Sequence, residues 1–265
     1  MARVIAVANQ KGGVGKTTTC INLAASLAAT RRRLLLADMD PQGNTTTGSG
    51  IDKSALERSA CDVLIEGAPV AEVIRAAEVG GYDVLPANRD LTAAEVHLLG
   101  RERREFHLRD ALGAVVDNYD YLLIDCPPAI NMLTVNALTA ADRVLIPVQC
   151  EYLAMEGLSD LLDTIRQIRE TANPKLEIHG ILRTMFDLRN NLDREVTTQL
   201  VDYFGDRVYR TVIPRNVRLA EAPSFGRPVL FHDRNSRGAL AYLALAGEIN
   251  RREGSVLAER DSGSG

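Results

Sequence analysis

The chain has 265 residues, 46% of them hydrophobic, and a formal net charge of −4. No Pro/Gly/Ser-rich linker divides it, so one domain over residues 1–253 is expected, with a polar tail, 254–265, lacking regular structure. The acidic balance excludes a nucleic-acid signal for the molecule as a whole. No apolar run is long enough to span a membrane, and the N-terminus leads straight into a strand, so a cytoplasmic location is expected.

Val4–Ala8 reads as a buried strand. It runs into Asn9-Gln10-Lys11-Gly12-Gly13-Val14-Gly15-Lys16-Thr17-Thr18, after which a helical pattern begins. Strand, glycine-rich loop and helix together are the context of a phosphate loop. Glycines let backbone N–H groups approach phosphate oxygens, and the helix start adds a positive dipole end. Lys16 can reach the β- and γ-phosphates, and the Thr17 hydroxyl can ligate Mg²⁺. The usual pattern, G-x-x-x-x-G-K-[ST], would place glycine at position 10. Gln10 stands there, and a second lysine, Lys11, follows it.

Leu34–Asp38 reads as the second strand. It ends in Asp38-Met39-Asp40-Pro41-Gln42-Gly43-Asn44, which leaves two carboxylates beside the phosphate position; Asp-Pro and Gln-Gly are also common turn pairs. Tyr82–Pro86 is the third strand. Tyr121–Asp125 is apolar and ends in Asp125-Cys126-Pro127-Pro128, the pattern of a Walker B strand whose aspartate holds Mg²⁺ through water; the prolines stiffen the loop that follows. Arg143–Val148 comes next. Leu158, Leu161, Leu162, Ile165 and Ile168 then repeat at helical spacing. Ile178–Phe186 and a short Tyr209–Ile213 complete the strands. Alternating strands and helices predict an α/β fold: a doubly wound, mostly parallel sheet flanked by helices, with ligands at the carboxyl ends of the strands.

Between Arg183 and Arg252 there are twelve arginines and no lysine against eight acidic residues, a net of +4 that leaves −8 for the remainder. Such an asymmetry can mark an anion-binding face. Cys20, Cys61, Cys126 and Cys150 stand far apart in apolar surroundings, as expected of buried free thiols, and their spacing does not suit a cluster-carrying ATPase.

Lys11-Gly12-Gly13-Val14-Gly15-Lys16-Thr17 resembles the deviant Walker A motif of the ParA/MinD ATPase superfamily. Residues 34–44 resemble its D-x-D-P-Q segment, and residues 212–224 resemble the chromosomal ParA (Soj) group. The resemblance runs from Val4 to about Asn250. It implies a P-loop ATPase that uses ATP and Mg²⁺ and forms a homodimer when ATP-bound, in which Lys11 crosses to the partner's nucleotide as an arginine finger would. It implies nucleotide contacts from Lys11 through Thr18 (Lys11, Gly12, Gly13, Val14, Gly15, Lys16, Thr17, Thr18). Thr17, Asp38 and Asp125 would form or support the metal shell, Asp40 would orient the attacking water beside Lys11 and Lys16, and Pro214 and Asn216 would close over adenine. Arg189 and Arg218 would bind double-stranded DNA without base preference, with Arg215, Arg234 and Arg237 as candidates to extend that face.

The function so implied is chromosome or plasmid partitioning. Slow hydrolysis would be stimulated by a ParB-type partner, and the protein would associate with the nucleoid. The alternative is a MinD-like membrane-associated positioning ATPase; residues 251–260 are too polar and acidic to insert well, so no membrane partner is expected.

Overall fold

The computed structural model describes residues 2–152 and 154–262. The strands are β1 (Arg3–Val7), β2 (Leu34–Asp38), β3 (Arg75–Ala77), β4 (Tyr82–Leu85), β5 (Tyr121–Asp125), β6 (Arg143–Gln149), β7 (Glu177–Phe186) and β8 (Val208–Pro214). They form one sheet in the order β3-β4-β2-β5-β1-β6-β7-β8. Every neighbouring pair is parallel except β3–β4. The doubly wound architecture is therefore as expected. The added strand, β3, is a three-residue antiparallel edge with no apolar alternation in its sequence.

The helices are α1 (Lys16–Ala28), α2 (Asn44–Gly48), α3 (Ala60–Ile65), α4 (Val70–Val73), α5 (Leu91–Leu99), α6 (His107–Leu112), α7 (Met132–Ala140), α8 (Ala154–Thr171), α9 (Asn191–Phe204), α10 (Val217–Glu221), α11 (Val229–His232) and α12 (Arg237–Ser262). Successive residues of a strand face opposite sides, which divides the core in two. Leu34 and Leu36 of β2 join α1, α11 and α12 on one face. Leu35 and Ala37 join α3 to α9 on the other. This two-sided burial explains why the strands read as unbroken apolar runs. All four cysteines are free; Cys61 is half-buried and the others buried.

The last helix, α12, runs on through Gly254 to Ser262, where the sequence suggested an unstructured tail. Leu257-Ala258-Glu259-Arg260 within that stretch favours helix; residues 263–265 lie outside the described residues. Buried Glu253 anchors α12 to the amino ends of the strands. Its carboxylate accepts from Arg143 Nη1 (2.5 Å) and His179 Nε2 (3.0 Å) and lies 2.8 Å from Arg3 Nε. The Tyr209 hydroxyl and His179 Nδ1 are also hydrogen-bonded.

One joint links the two ends of the chain. The short helix α2 lies between α1 and the turn Ala222–Phe225. A Cβ on Gly48 would come within 2.5 Å of Ile21 Cδ1 and 3.6 Å of Pro223 Cβ. Gly50 (φ +86) and Gly226 (φ +61) meet backbone to backbone, and a Cβ on Gly50 would lie 2.7 Å from the Gly226 carbonyl oxygen. Both positions require left-handed backbone and a close approach, which together favour glycine.

Candidate nucleotide site

β1 ends at the centre of the sheet, so residues 8–15 emerge at its carboxyl edge between β5 and β6. Gly13 (φ +77) and Gly15 (φ +88) adopt left-handed backbone that turns the loop back over the start of α1. A Cβ on Gly12 or Gly13 would meet nothing within 4 Å, so the inner wall of the loop opens onto space a phosphate chain can fill. The loop is braced from below. Asn9 donates to the Pro147 carbonyl (2.7 Å) and accepts from Lys11 N (2.9 Å), and the Thr184 hydroxyl donates to the Val14 carbonyl (2.8 Å).

The two lysines occupy different environments. Lys16 is 7% exposed, and its ammonium donates to the Lys11 carbonyl (3.0 Å) inside the loop. Burial holds its pKa below the ordinary value, and Asp125 pulls the other way. Lys11 points to the rim, where its ammonium lies 2.5 Å from Glu151 Oε2.

Below the loop, Asp38 and Asp125 are register partners on adjacent strands, and both are fully buried. Thr17 (2.8 Å) and Thr45 (2.6 Å) both donate to Asp125 Oδ2, while Oδ1 is buried without a partner. Burial pushes the Asp125 carboxyl up to about 6. Asp38 accepts from Thr46 N (2.9 Å), the Thr46 hydroxyl (2.7 Å) and Asp40 N (3.1 Å). Burial, and Asp125 beside it, push Asp38 up to about 8. Both Asp38 oxygens are thus committed to shaping the 40–46 segment, which makes it a support behind Asp125. Asp40 is half-exposed and spends one oxygen on Gln42 N (2.9 Å).

The donor set suits magnesium. A hydroxyl and a carboxylate with one unpartnered oxygen stand under the phosphate loop, and both are hard oxygen ligands. Among the described residues no group of three or more His, Cys, Asp or Glu side chains could hold a metal alone. An ion here would share its shell with phosphate, as magnesium does in nucleotide sites.

Beyond Gly15 and Thr18 a cavity of about 170 Å³ opens between the ends of β7 and β8, with Thr184, Met185, Pro214 and Asn216 in its walls and Tyr242 at its base. Asn216 Oδ1 is buried without a partner. The Tyr242 hydroxyl is tied to the Thr19 hydroxyl (3.1 Å), which fixes that base to α1.

The structure brings Lys16, Thr17, Asp40 and Asp125 together at the phosphate loop, and Pro214 and Asn216 line the cavity beyond Gly15 and Thr18. Arg189 and Arg218 stand apart from these groups, and both are ion-paired. Arg189 is bidentate to Asp187 (3.0 and 2.8 Å) and holds that carboxyl down at about 2. Arg218 pairs with Glu221 (2.8 Å) and Asp233 (3.3 Å). Sequence reasoning missed Thr45, Thr46 and Glu151. The run of three threonines after Asn44 was the available signal for the first two; Glu151 had none.

A model of the AAA domain matches residues 2–178. The chain is 53% identical over 249 residues to the sporulation initiation inhibitor protein Soj of Bacillus subtilis (strain 168), covering 94% of this chain and 98% of that protein. It is 53% identical over 253 residues to the chromosome partitioning protein ParA of Caulobacter vibrioides (strain NA1000 / CB15N), covering 95% of each. Among solved structures it is similar to cobyrinic acid a,c-diamide synthase from Mycobacterium smegmatis with bound ADP and magnesium, with a TM-score of 0.85, 38% identity and 96% of each chain covered. Together with the lysine pair and the Asp38–Asp125 arrangement, these similarities establish that the chain belongs to the ParA (Soj) family of chromosome-partitioning ATPases.

Proposed function

We propose that this chain is an ATP-dependent, dimerising ATPase that binds DNA non-specifically and drives chromosome or plasmid partitioning with a ParB-type partner. ATP and Mg²⁺ are its cofactors. The observation that carries the reading is the division of labour between its two lysines: Lys16 is enclosed by the loop, whereas Lys11 sits at the rim where a second molecule can meet it.

Each side chain then has a task. Loop N–H groups and Lys16 hold the phosphates, the latter as a cation already stripped of water. Thr17 and the free oxygen of Asp125 hold magnesium, which when bound neutralises charge on the phosphates. Asp40 accepts a hydrogen bond from the attacking water and aligns it. Lys11 leaves Glu151 for the partner's phosphates, so the γ-phosphate becomes part of the dimer interface and its loss opens the dimer. The hydrogen-bond acceptor of Asn216 faces the adenine amino group. Hydrolysis is slow in the isolated protein, because the complete set of cations forms only in the dimer, and the ParB-type partner raises the rate. Arg189 and Arg218 contact phosphates of duplex DNA, and dimerisation doubles their number, giving avidity without new contacts per chain. The protein is therefore cytoplasmic and nucleoid-associated. No helix among the described residues is long and apolar enough to cross a membrane.

The test is retention on random-sequence duplex DNA with ATP, ADP or no nucleotide, across a salt series. Binding with ATP alone, falling steeply with salt, is expected; equal binding in all three states refutes the cycle.

A further inference from the structure

Twelve large hydrophobic residues are exposed among the described residues, and four of them, Val217, Phe225, Phe231 and Leu240, fall within residues 217–240. Of the five phenylalanines, Phe225 and Phe231 alone are exposed. These four side chains lie on α10, the turn Ala222–Phe225, α11 and the start of α12, which pack on one another as a cap at the end of the sheet. Gly238 of α12 lies so close to α10 that a Cβ there would come within 2.6 Å of Leu219 Cγ.

The cap is also basic. Residues 215–240 hold five arginines, 215, 218, 227, 234 and 237, against Glu221 and Asp233, a net of +3 on a chain of −4. Arg218 is taken up by the two acids. The side chains of Arg215, Arg227 and Arg234 are exposed and make no hydrogen bond or ion pair with any described residue. Phe225 packs one side against His232, with ring centroids 4.9 Å apart at 31°, yet remains 61% exposed.

We propose that this cap binds single-stranded nucleic acid, with its arginines on successive phosphates and Phe225 as the platform on which an unpaired base stacks. The inference rests on the DNA-binding reading and adds base contact to it. Net positive charge on an otherwise acidic molecule selects an anionic partner. The exposed apolar side chains are spread over four elements rather than along one helix, so they do not make the single amphipathic helix that lies in a bilayer surface. The cap has no lysine; its permanent cations are all arginines, whose planar group pairs with phosphate through two hydrogen bonds and stacks on rings. An aromatic ring among cations is the combination that holds single strands without regard to sequence.

The protein has no tryptophan, so Phe225→Trp installs a single emission reporter at this position. With ATP and Mg²⁺ present, three probes are compared: an oligothymidylate of about 15 nucleotides, a duplex of the same length, and vesicles containing phosphatidylglycerol. Quenching by the oligothymidylate is expected, because the base stacks on the ring. Phe225→Ala, at an exposed position, folds normally by thermal melting and binds the single strand about tenfold more weakly while duplex affinity changes less than twofold. Unchanged single-strand affinity, or equal losses on both nucleic acids, overturns the proposal. So does a blue shift with vesicles and no quenching by oligothymidylate, which assigns the cap to a membrane surface. If the wild-type protein binds no nucleic acid with ATP, the DNA reading itself falls; if it binds duplex and only the Phe225 results fail, this inference alone falls.

Discussion

Lys11 Nζ lies 2.5 Å from Glu151 Oε2, so the lysine that sets this phosphate loop apart is held by a carboxylate of its own chain. In the proposed dimer, Lys11 leaves that pair for the partner's nucleotide. Both side chains are more than a third exposed, so the pair is weak and can be given up readily. Glu151→Gln is expected to lower the ATP concentration at half-dimer by about two- to fivefold. Light scattering during an ATP titration measures it; an unchanged or raised midpoint assigns the pair no role in dimerisation.

Asp40 accepts one backbone N–H and lies close enough to Lys16 and Asp125 to act on both electrostatically. Asp40→Ala should bind ATP normally and hydrolyse it about 100-fold more slowly, the usual worth of one acid–base contact. Phosphate release and sizing chromatography report the two halves. A monomer with ATP, or a wild-type rate, contradicts the role assigned to Asp40.

Asn216 buries an acceptor with no partner in the protein. If the adenine amino group supplies the missing hydrogen, Asn216→Ala weakens ATP binding about tenfold and narrows the preference for ATP over GTP. Competition binding with the two nucleotides decides it; equal weakening of both leaves Asn216 with a packing role.

The Glu253 network makes stability acid-sensitive. His179 faces Glu253, Arg143, Arg252 and Tyr209, and burial holds its pKa below the ordinary 6.5, with Glu253 opposing. For Glu253, burial pushes upward, but His179 and Arg143 outweigh it and the carboxyl is lowered. The unfolded chain therefore takes up protons that the fold refuses, first at His179 below about pH 6.5 and then at Glu253 in stronger acid. The network's own contribution should be flat above neutrality and fall steadily below it. It is read as the melting-temperature difference between wild type and Glu253→Gln, because the raised carboxyls of Asp38 and Asp125 slope the other way in both proteins. Glu253→Gln, which strands two guanidinium groups, should cost about 3 kcal/mol in denaturant titration. A melting-temperature difference between the two proteins that does not change with pH, or a variant as stable as wild type, removes the network from the account of stability.

The sheet and the phosphate loop were legible because their signals are local. Buried strands such as Leu34–Asp38 and Tyr121–Asp125 are apolar up to their closing aspartates, and a glycine-rich loop between strand and helix has few other uses. β3 was not legible, since three residues pairing antiparallel at an edge carry no periodicity. Thr45, Thr46 and Glu151 were hidden for another reason. Their roles depend on which carboxylate the fold sets opposite them, and Thr45 meets Asp125 across 80 residues of chain. Asp187 and Glu221 lay within three residues of Arg189 and Arg218 in sequence, yet only geometry distinguishes a paired arginine from an open one.

The meeting of Gly50 and Gly226 bears on how this chain can be divided. Residues 2–178, which the AAA domain model matches, contain the phosphate loop and the carboxylates proposed to serve the metal, and by sequence could pass for the whole machine. They are not the whole of it. The helix that carries Thr45 and Thr46 leans on Pro223 and Gly226, and the base cavity takes its walls from Pro214 and Asn216 and its base from Tyr242. A fragment ending near residue 178 would keep the catalytic groups and lose the parts that hold them in place. Shortening the protein from its carboxyl end therefore removes its chemistry before it removes any of the groups that perform it.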